Sequence, residues 1–427
     1  MDFSRYLDQQ SEPYTSTIYP PPECWGKMSS AKVLGLLGGS AAAPGEIMLK
    51  LAVPFCPSKC SFCGLSAVPD PALLKRYLQA LLTEMGLLRG AFSGRGFFSF
   101  RAEGNLFSLS AAQLERVFAA AFDSFKFKSG HKSGIELNPA SITREKAELA
   151  AGAGIKWAIL GVQSRDPAVL SAAGCPHSGT DIEEKYGILR SAGIENISMD
   201  LMLGLPQQTT ESFIRDVAAL VKMRPERIAL YRYSGSKKSR AELDYVVNRG
   251  FEQMEKAGYA FRKGFDPYWG TVDLKYDASW PHAYETGTPV NAYSILALGA
   301  GAKSYIWGRV RYQNSKDLRA YIDSLGAARL PAETGLRVSV RDEMAGYMIL
   351  SFDCLREIPL ADFKRKFGEE LKAVFPRQLE TLCKARIIKP CRAGYRVITS
   401  HDAARSAARR AFFDPALRKA LEKKIHG

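Results

Sequence analysis

The chain has 427 residues, of which 46% are hydrophobic and 24% are charged. This balance is typical of a globular protein with a large core, and the length suggests two or three domains. No stretch reaches the roughly 18 uninterrupted apolar residues of a membrane span, and the N-terminus lacks a basic segment followed by an apolar run. We therefore expect a cytoplasmic protein with no membrane partner.

The formal net charge of +15 indicates anionic ligands such as carboxylates, phosphates or nucleic acid, or simply a solvated basic surface. Five of the eight cysteines are scattered singly, unlike the dense framework of a secreted disulfide scaffold. A reducing compartment fits this pattern.

Apolar runs alternate with amphipathic stretches between residues 46 and 233. The amphipathic stretches have helical spacing, and several begin at Ser or Thr and end at Gly. Six such units favour an α/β fold with a parallel sheet wound as a partial or full (β/α) barrel. The predicted strands are 46–55, 97–100, 134–139, 156–164, 196–206 and 227–233, and the predicted helices are 71–88, 110–125, 143–154, 182–193 and 210–223.

These patterns divide the chain into three parts. Residues 1–45 form an N-terminal extension, and residues 46–325 form the α/β barrel domain. Residues 326–427 form a smaller, mainly helical C-terminal domain with a β-like stretch at 394–400.

The segment FCPSKCSFCG, residues 55–64, follows the first predicted strand and holds the thiols of Cys56, Cys60 and Cys63. A closed structural zinc site needs four ligands, and the nearest further candidates along the chain are Cys24 and His131. A [4Fe–4S] cluster on three thiolates leaves one iron free for a reactant, whereas an electron-transfer ferredoxin normally uses a fourth cysteine. The absence of a fourth ligand in this segment therefore favours a [4Fe–4S] cluster with one open iron, and a structural zinc site is the alternative.

The CxxxCxxC spacing, with Phe62 just before the last cysteine, resembles the signature of the radical S-adenosylmethionine (radical SAM) superfamily. The resemblance implies an enzyme whose three cysteines, Cys56, Cys60 and Cys63, bind a [4Fe–4S] cluster. It implies that the open iron binds the amino and carboxylate groups of S-adenosylmethionine, and that reductive cleavage yields a 5′-deoxyadenosyl radical. A reductant such as flavodoxin or ferredoxin is then an expected partner.

Four further stretches are similar, in order and spacing, to the oxygen-independent coproporphyrinogen III oxidase family. That family also includes the haem chaperone, haem-degrading enzymes and the class C radical methyltransferases. The resemblance runs from about residue 46 to 320 and continues more weakly into the C-terminal domain. The stretches are IELNPASIT (135–143), LGVQSRDPAVL (160–170), DLMLGLPQQTTESF (200–213) and LGAGAKSY (298–305).

Polar side chains lie within or at the ends of three predicted strands, at Glu136, Gln163 and Asp200, where burial without a partner is costly. By resemblance, these residues hydrogen-bond the ribose and amino groups of bound S-adenosylmethionine. The alternative is that each satisfies a loop backbone. The resemblance also implies cofactor contacts for Phe62, Gly64, Gly104 and Ser234.

The chain departs from the family at positions that matter for the reaction. The oxidases carry a further cysteine where this chain has Leu65, and a Tyr and a His where it has Lys50 and Ala52. These differences argue against coproporphyrinogen decarboxylation. The haem chaperone's HNxxYW signature is replaced by ETGTPV (285–290), which argues against haem-chaperone activity.

Two more departures lie at the cofactor site. The family's GGGTP strand end is replaced by AEGNL (102–106), which keeps Gly104 and places Glu103 near the methionine end of the cofactor. Cys175 replaces an Arg usual in the family, and we take it as a candidate catalytic thiol or hydrogen donor. The alternative is an ordinary small buried side chain.

Two classes of function follow. The first is a radical SAM enzyme that acts on an anionic tetrapyrrole or aromatic biosynthetic substrate, for example by methyl or methylene transfer from a second S-adenosylmethionine. The second is a haem or cluster carrier, and a coproporphyrinogen III oxidase is a further alternative. Nucleic acid is not an expected partner, because there is no appended RNA-binding module and no stripe of aromatic and basic residues.

The segment from Tyr259 to Tyr284 is rich in aromatic and polar residues. It either lines a pocket for a flat conjugated substrate or is an ordinary loop that packs on the barrel mouth.

Overall fold

A computed structural model describes residues 19–38, 46–56, 58–64, 70–263, 269–273, 293–354, 357–399 and 402–419. Its centre is one large, mostly parallel sheet with helices packed against it, which confirms the predicted α/β class. The strands of this sheet are β1 Gly26–Lys27, β2 Glu46–Val53, β3 Gly96–Gly104, β4 Lys126–Phe127, β5 Ser133–Leu137, β6 Ile155–Gln163, β7 Asn196–Leu203, β8 Arg227–Arg232, β9 Ala260–Lys263, β10 Trp269–Asp273, β11 Tyr293–Leu298, β12 Lys303–Ile306, β13 Val310–Asn314 and β14 Ala332–Arg337.

The parallel part of the sheet has the order β11-β2-β3-β5-β6-β7-β8. Antiparallel strands extend it at both edges: β12, β13, β14 and β1 beyond β11, and β10 and β9 beyond β8. In the part of the chain that the structure describes, the two edge strands do not pair with each other, so the barrel is partial rather than closed.

Helices connect the parallel strands, as right-handed βαβ crossovers require. Two begin at a cap that the sequence predicts: Ser110 forms a capping box at one helix N-terminus, and the Thr143 side chain accepts from Lys146 N–H at another. No helix among the described residues is long and apolar enough to cross a membrane. The helices of this part are α1 Ser30–Leu37, α2 Pro71–Arg89, α3 Ala111–Ser124, α4 Arg144–Gly152, α5 Pro167–Ala172, α6 Ile182–Ser191, α7 Thr210–Met223, α8 Arg240–Lys256 and α9 Leu318–Gly326.

The two faces of the sheet differ in polarity because successive side chains of a strand point to opposite sides. On β2, Ile47, Leu49 and Leu51 lie in the same apolar core as residues of α2, α3 and α7. Lys50 and Ala52 belong to the opposite, inner face and are only partly buried. The inner face is therefore the one that can meet a polar ligand.

A second apolar cluster gathers residues 344–413 around a three-stranded antiparallel sheet. The N-terminal segment joins it, because the ring of Tyr19 packs edge-on against Phe413 at 4.9 Å. A buried ion pair between Arg311 and Glu343 links β13 to the first helix of this cluster, with both carboxylate oxygens 2.7 Å from the guanidinium. Its elements are α10 Val340–Cys354, β15 Glu357–Pro359, α11 Leu360–Phe367, α12 Leu371–Val374, α13 Pro376–Lys384, β16 Ile388–Cys391, β17 Gly394–Val397 and α14 Asp402–Arg410.

The LGAGAK stretch makes a tight turn between β11 and β12 that encloses the buried carboxylate of Glu84 on α2. That carboxylate accepts hydrogen bonds from the backbone N–H of Gly299 at 2.9 Å, from Asn314 Nδ2 at 2.6 Å and from the Tyr321 hydroxyl at 2.6 Å. Burial nevertheless outweighs these donors and raises the pKa of Glu84 to about 7.

We expect the stability of the protein to fall between about pH 4.5 and 7 because of Glu84. The folded state holds this proton more tightly than the unfolded state, so the contribution is complete below the unfolded pKa of 4.5 and is lost as the pH rises through about 7. The loss is about 3 kcal/mol at 1.36 kcal/mol per pKa unit. Urea unfolding across this range should show a steeper decline for wild type than for Glu84→Gln; parallel curves would contradict the assignment.

Candidate functional site

A cavity of about 180 Å³ opens at the carboxyl ends of β2, β3, β5 and β6, beside β7. In α/β architectures this end of the sheet is where ligands bind. The cavity brings together most of the side chains that the sequence singles out. They are Cys56, Cys60, Phe62, Cys63, Gly104, Glu136, Gln163, Cys175 and Asp200.

The other two predicted cofactor contacts lie elsewhere. Gly64 and Ser234 belong to the described part of the chain but do not line this cavity, and Ser234 is exposed. Their predicted role rests on the resemblance alone.

The cysteine loop is attached to the end of α5 by backbone contacts. Ser61 N–H donates to the carbonyl of Ala173 at 2.9 Å, and the Ser58 hydroxyl donates to the carbonyl of Gly174 at 3.2 Å. These bonds bring the next residue, Cys175, beside the motif although the two are far apart in sequence. The loop is therefore positioned by a part of the chain that its own sequence does not reveal.

Polar donors surround the thiols. The side-chain amides of Asn105 and Asn138 point at Cys56 Sγ from 3.9 and 3.8 Å. The hydrogen bond with Cys175 lowers the pKa of Cys60 against the effect of burial, while burial raises the pKa of Cys56. N–H and S–H donors aimed at sulfur are the contacts that stabilise ligated thiolates.

The donor set fits an iron–sulfur cluster. Among the residues that the structure describes, no group of three or more His, Cys, Asp or Glu side chains surrounds a single metal-ion position. A [4Fe–4S] cluster needs a different arrangement, because each thiolate binds its own iron and the sulfur atoms do not converge on one point. Cys56, Cys60 and Cys63 line one cavity and meet this requirement in residue type and number.

Gln163 has an unusual backbone at the end of β6. Its φ is +63°, in the left-handed region that non-glycine residues rarely adopt, and the β6–β7 register shifts between Gly161 and Gln163. A Cβ on Gly161 would lie 2.9 Å from Gln163 Nε2, so the glycine leaves room for this side chain. Gln163 Oε1 is buried and has no hydrogen-bond partner within the described structure. Local strain with an unsatisfied buried oxygen is typical of a ligand site.

Glu136 connects the cavity to the inner face of the sheet. Its Oε1 lies 3.4 Å from Arg101 Nη2, and its Oε2 accepts a long bond of 3.5 Å from the N–H of Gly104. Burial raises the pKa of Glu136, although the charge of Arg101 opposes the shift. A third of the side chain stays exposed, 33%, so it can still accept from a ligand.

Two of the residues that differ from the family pattern lie in contact with each other. Lys50 on β2 and Glu103 on β3 form an ion pair, and Glu103 is the register neighbour of Ala52. Burial raises the pKa of Glu103, but the charges of Lys50 and Arg101 outweigh it and hold the pKa below its usual value. The sequence marks each position as different from the family but does not reveal that the two are paired.

Three cavity residues escaped the sequence analysis. Asn105 and Asn138 reach Cys56, as described above, and each follows a strand end, which is the signal that could have found them. His177 is 8% exposed and donates from Nε2 to the carbonyl of Val162 at 2.9 Å, and burial lowers its pKa. It lies two residues after Cys175 in the GCPH stretch.

Some predictions fall outside the described residues. These are Leu65, the ETGTPV stretch at 285–290, and most of the aromatic segment between Tyr259 and Tyr284.

The chain is similar to known proteins along most of its length. The family model described as Radical SAM superfamily matches residues 51–220. The chain is 26% identical over 367 residues to the oxygen-independent coproporphyrinogen III oxidase of Helicobacter pylori strain J99, covering 79% of each chain. It is 24% identical over 359 residues to the heme chaperone HemW of Lactococcus lactis, covering 79% of this chain and 89% of the relative.

One solved structure matches the fold of this chain over nearly its whole length. The solved structure of coproporphyrinogen III oxidase (HemN) from Escherichia coli superimposes with a TM-score of 0.78 at 19% identity. The match covers 93% of this chain and 96% of that one.

Proposed function

We propose that this chain belongs to the radical SAM superfamily, in the family of oxygen-independent coproporphyrinogen III oxidases and haem chaperones, and that it starts radical chemistry on an anionic conjugated small molecule. On this proposal the chain is a radical SAM enzyme with a [4Fe–4S] cluster and S-adenosylmethionine as cofactors. The observation that carries the proposal is the cavity lined by the three thiols of the motif, by Cys175 and by polar side chains of the strands.

The protein's part is to bind and orient these cofactors, because the cofactors carry the reactivity. When bound, they supply one chemistry, the reductive cleavage of S-adenosylmethionine to a 5′-deoxyadenosyl radical. Cys56, Cys60 and Cys63 would each hold one iron and leave the fourth iron open. The amides of Asn105 and Asn138 would donate to the Cys56 sulfur and stabilise its negative charge.

The strand-end residues would hold the S-adenosylmethionine. Gln163 Oε1 is buried without a partner in the described structure and would accept a hydrogen bond from the cofactor. Glu136 and Asp200 line the same cavity as the thiols, and their carboxylates suit the ribose hydroxyls and the cationic amino group. Gly104, with φ +81°, turns the backbone at the end of β3 and lets the chain approach the ligand closely.

The reaction itself is proposed to differ from oxidative decarboxylation. Lys50 and Ala52 stand where the family's oxidases have a Tyr and a His, and Lys50 is engaged in an ion pair with Glu103. A phenol and an imidazole offer proton donors and acceptors that a paired lysine does not. Methyl or methylene transfer from a second S-adenosylmethionine is the proposed alternative reaction.

Product formation under anaerobic turnover tests the proposal. With dithionite or reduced flavodoxin and S-adenosylmethionine, the cluster-loaded protein is expected to form 5′-deoxyadenosine, measured by liquid chromatography and mass spectrometry. A heat-denatured sample with the same iron content controls for free iron–sulfide chemistry. A fully loaded protein that forms no 5′-deoxyadenosine, with or without coproporphyrinogen III, would instead support a haem or cluster carrier.

A further inference from the structure

Gln163 lies at the centre of a strained turn at the end of β6. The backbone N–H of Ser164 donates to the carbonyl of Val162 at 2.7 Å, and this bond spans Gln163, whose φ is +63°. A three-residue turn with a positive φ at its central residue is rare and strained. Such a conformation persists only where the surrounding structure over-determines it. The contacts on either side of the turn therefore decide where the Gln163 side chain points.

A histidine holds the residue before Gln163. The Val162 carbonyl accepts a second hydrogen bond, at 2.9 Å, from His177 Nε2. His177 is buried and also lines the cavity, so it joins the turn to the cavity wall. The first half of the turn is thus fixed from the side of the proposed cofactor site.

A buried carboxylate on α7 holds the residues after Gln163. Asp216 is 3% exposed, and its Oδ2 accepts from the Ser164 hydroxyl at 2.6 Å while its Oδ1 accepts from the N–H of Arg165 at 2.9 Å. The Ser164 oxygen in turn accepts from the N–H of Asp166 at 3.1 Å. Among the described residues that line the cavity, neither Asp216 nor Ser164 occurs. Their effect on a bound cofactor would therefore pass through the turn.

The side chain that this turn presents is confined. An added Cβ on Gly161 would lie 2.9 Å from Gln163 Nε2, so the amide packs closely over the glycine backbone. Gln163 Oε1 is buried and has no partner among the described residues. A glutamine side chain has several rotatable bonds, so its oxygen keeps one position only if its backbone is also held.

We propose that Asp216 is a positioning residue for S-adenosylmethionine binding, because its two hydrogen bonds keep Gln163 in the strained turn and so aim the Gln163 oxygen at the cofactor. This inference rests on the proposed function, since the ligand is the same cofactor. Asp216 suits this task because one carboxylate supplies acceptors to two successive residues, Ser164 and Arg165, and an apolar residue in its place would leave both donors unsatisfied.

A double-mutant cycle with Gln163 tests this role. S-adenosylmethionine is titrated by calorimetry into the cluster-loaded full chain, with the cluster kept oxidised so that the cofactor is not cleaved. We expect Asp216→Ala to weaken binding about tenfold, the scale of one lost hydrogen bond to a polar ligand. Glycine adopts a positive φ without strain and has no side chain to aim. In the Gln163→Gly background, Asp216→Ala should therefore change the affinity by less than about twofold.

A second variant keeps the test open if Asp216→Ala does not fold. Ser164→Ala removes one of the two hydrogen bonds to Asp216 and leaves the bond to Arg165 in place. It should weaken S-adenosylmethionine binding about threefold in the wild-type background and leave it unchanged in the Gln163→Gly background.

Glu226→Gln is the matched control. Glu226 is also a carboxylate that accepts from a backbone N–H, that of Ile197 at 2.8 Å, but it does so at the amino end of β7, away from the cavity. Glu226→Gln should lower the free energy of unfolding of the apoprotein, measured in urea, and leave the affinity for S-adenosylmethionine unchanged.

The contrary results are equally definite. Equal weakening by Asp216→Ala, or by Ser164→Ala, in both backgrounds would mean that these residues stabilise the fold in general and would overturn the inference. An unchanged affinity in folded Asp216→Ala would overturn it as well. Failure of the cluster-loaded wild type to bind S-adenosylmethionine would overturn the proposed function and this inference together, so the two failures are distinguishable.

Discussion

Replacing Cys56, Cys60 and Cys63 together by Ala is expected to remove all cluster iron, from about four irons per chain to none. The reason is that each of the three thiolates would bind one iron, and the part of the chain that the structure describes offers only Cys175 as a further thiol in the cavity. Formation of 5′-deoxyadenosine should disappear with the iron. Iron and sulfide assays on anaerobically reconstituted protein measure the first effect, and turnover assays measure the second.

The control for this variant removes thiols that lie away from the cavity. Cys383 and Cys391 are partly buried in the C-terminal cluster, and the double variant Cys383→Ala, Cys391→Ala should keep the full iron content. Circular dichroism should show that both variants are folded. Four irons per chain retained by the folded triple variant would contradict the assignment of the cluster ligands.

Replacing Gly299 by Ala is expected to lower the free energy of unfolding by about 3 kcal/mol or more. Gly299 has φ +108°, a conformation open essentially to glycine, and an added Cβ would lie 2.5 Å from the carbonyl oxygen of Ala52 and 2.6 Å from the Tyr77 hydroxyl. The first of these atoms is backbone and cannot move aside without displacing β2. Because β2 leads directly into the cysteine loop, we also expect slower cluster loading. Urea unfolding of the apoprotein measures the stability.

Gly301 in the same turn is the matched control. It also has a positive φ, +72°, but the nearest atom to an added Cβ is Lys316 Cγ at 3.4 Å, a side chain that can give way. Gly301→Ala should therefore lower the free energy of unfolding only by the cost of the left-handed backbone conformation, about 1–2 kcal/mol. Equal losses for the two variants would show that the close contact at Ala52 does not determine the effect.

The sequence predicts the parallel part of the fold well because each strand and helix there carries a strong local signal. The predicted strands at 46–55, 156–164 and 196–206 correspond to β2, β6 and β7. The antiparallel extension was missed: β13, VRYQN, alternates over only four residues, and β14, AETGLR, has no apolar alternation and a single buried residue. Their pairing depends on neighbours distant in sequence.

The part of the site that the sequence predicts consists of polar residues and cysteines on or just after the predicted parallel strands. Glu136, Gln163 and Asp200 met the three cysteines in one cavity because carboxyl ends of parallel strands share one edge of the sheet. Contacts between distant segments were not predictable. The Lys50–Glu103 pair depends on strand register, and the contact of Cys175 with Cys60 depends on how α5 meets the cysteine loop. Neither contact produces a recognisable pattern in the sequence around its residues.

The role of Cys175 stays a prediction. Its thiol lies next to a proposed cluster ligand, so it acts at least on the surroundings of Cys60.

The central claim is that this cavity holds a three-thiolate [4Fe–4S] cluster whose open iron binds S-adenosylmethionine. Electron paramagnetic resonance of the dithionite-reduced, anaerobically reconstituted protein, recorded before and after addition of S-adenosylmethionine, tests it most directly. The account predicts a signal from the reduced cluster whose g values change when S-adenosylmethionine is added, because the ligand binds an iron of the cluster. A cluster signal that stays the same at saturating S-adenosylmethionine, or stoichiometric zinc with no iron site, would contradict it.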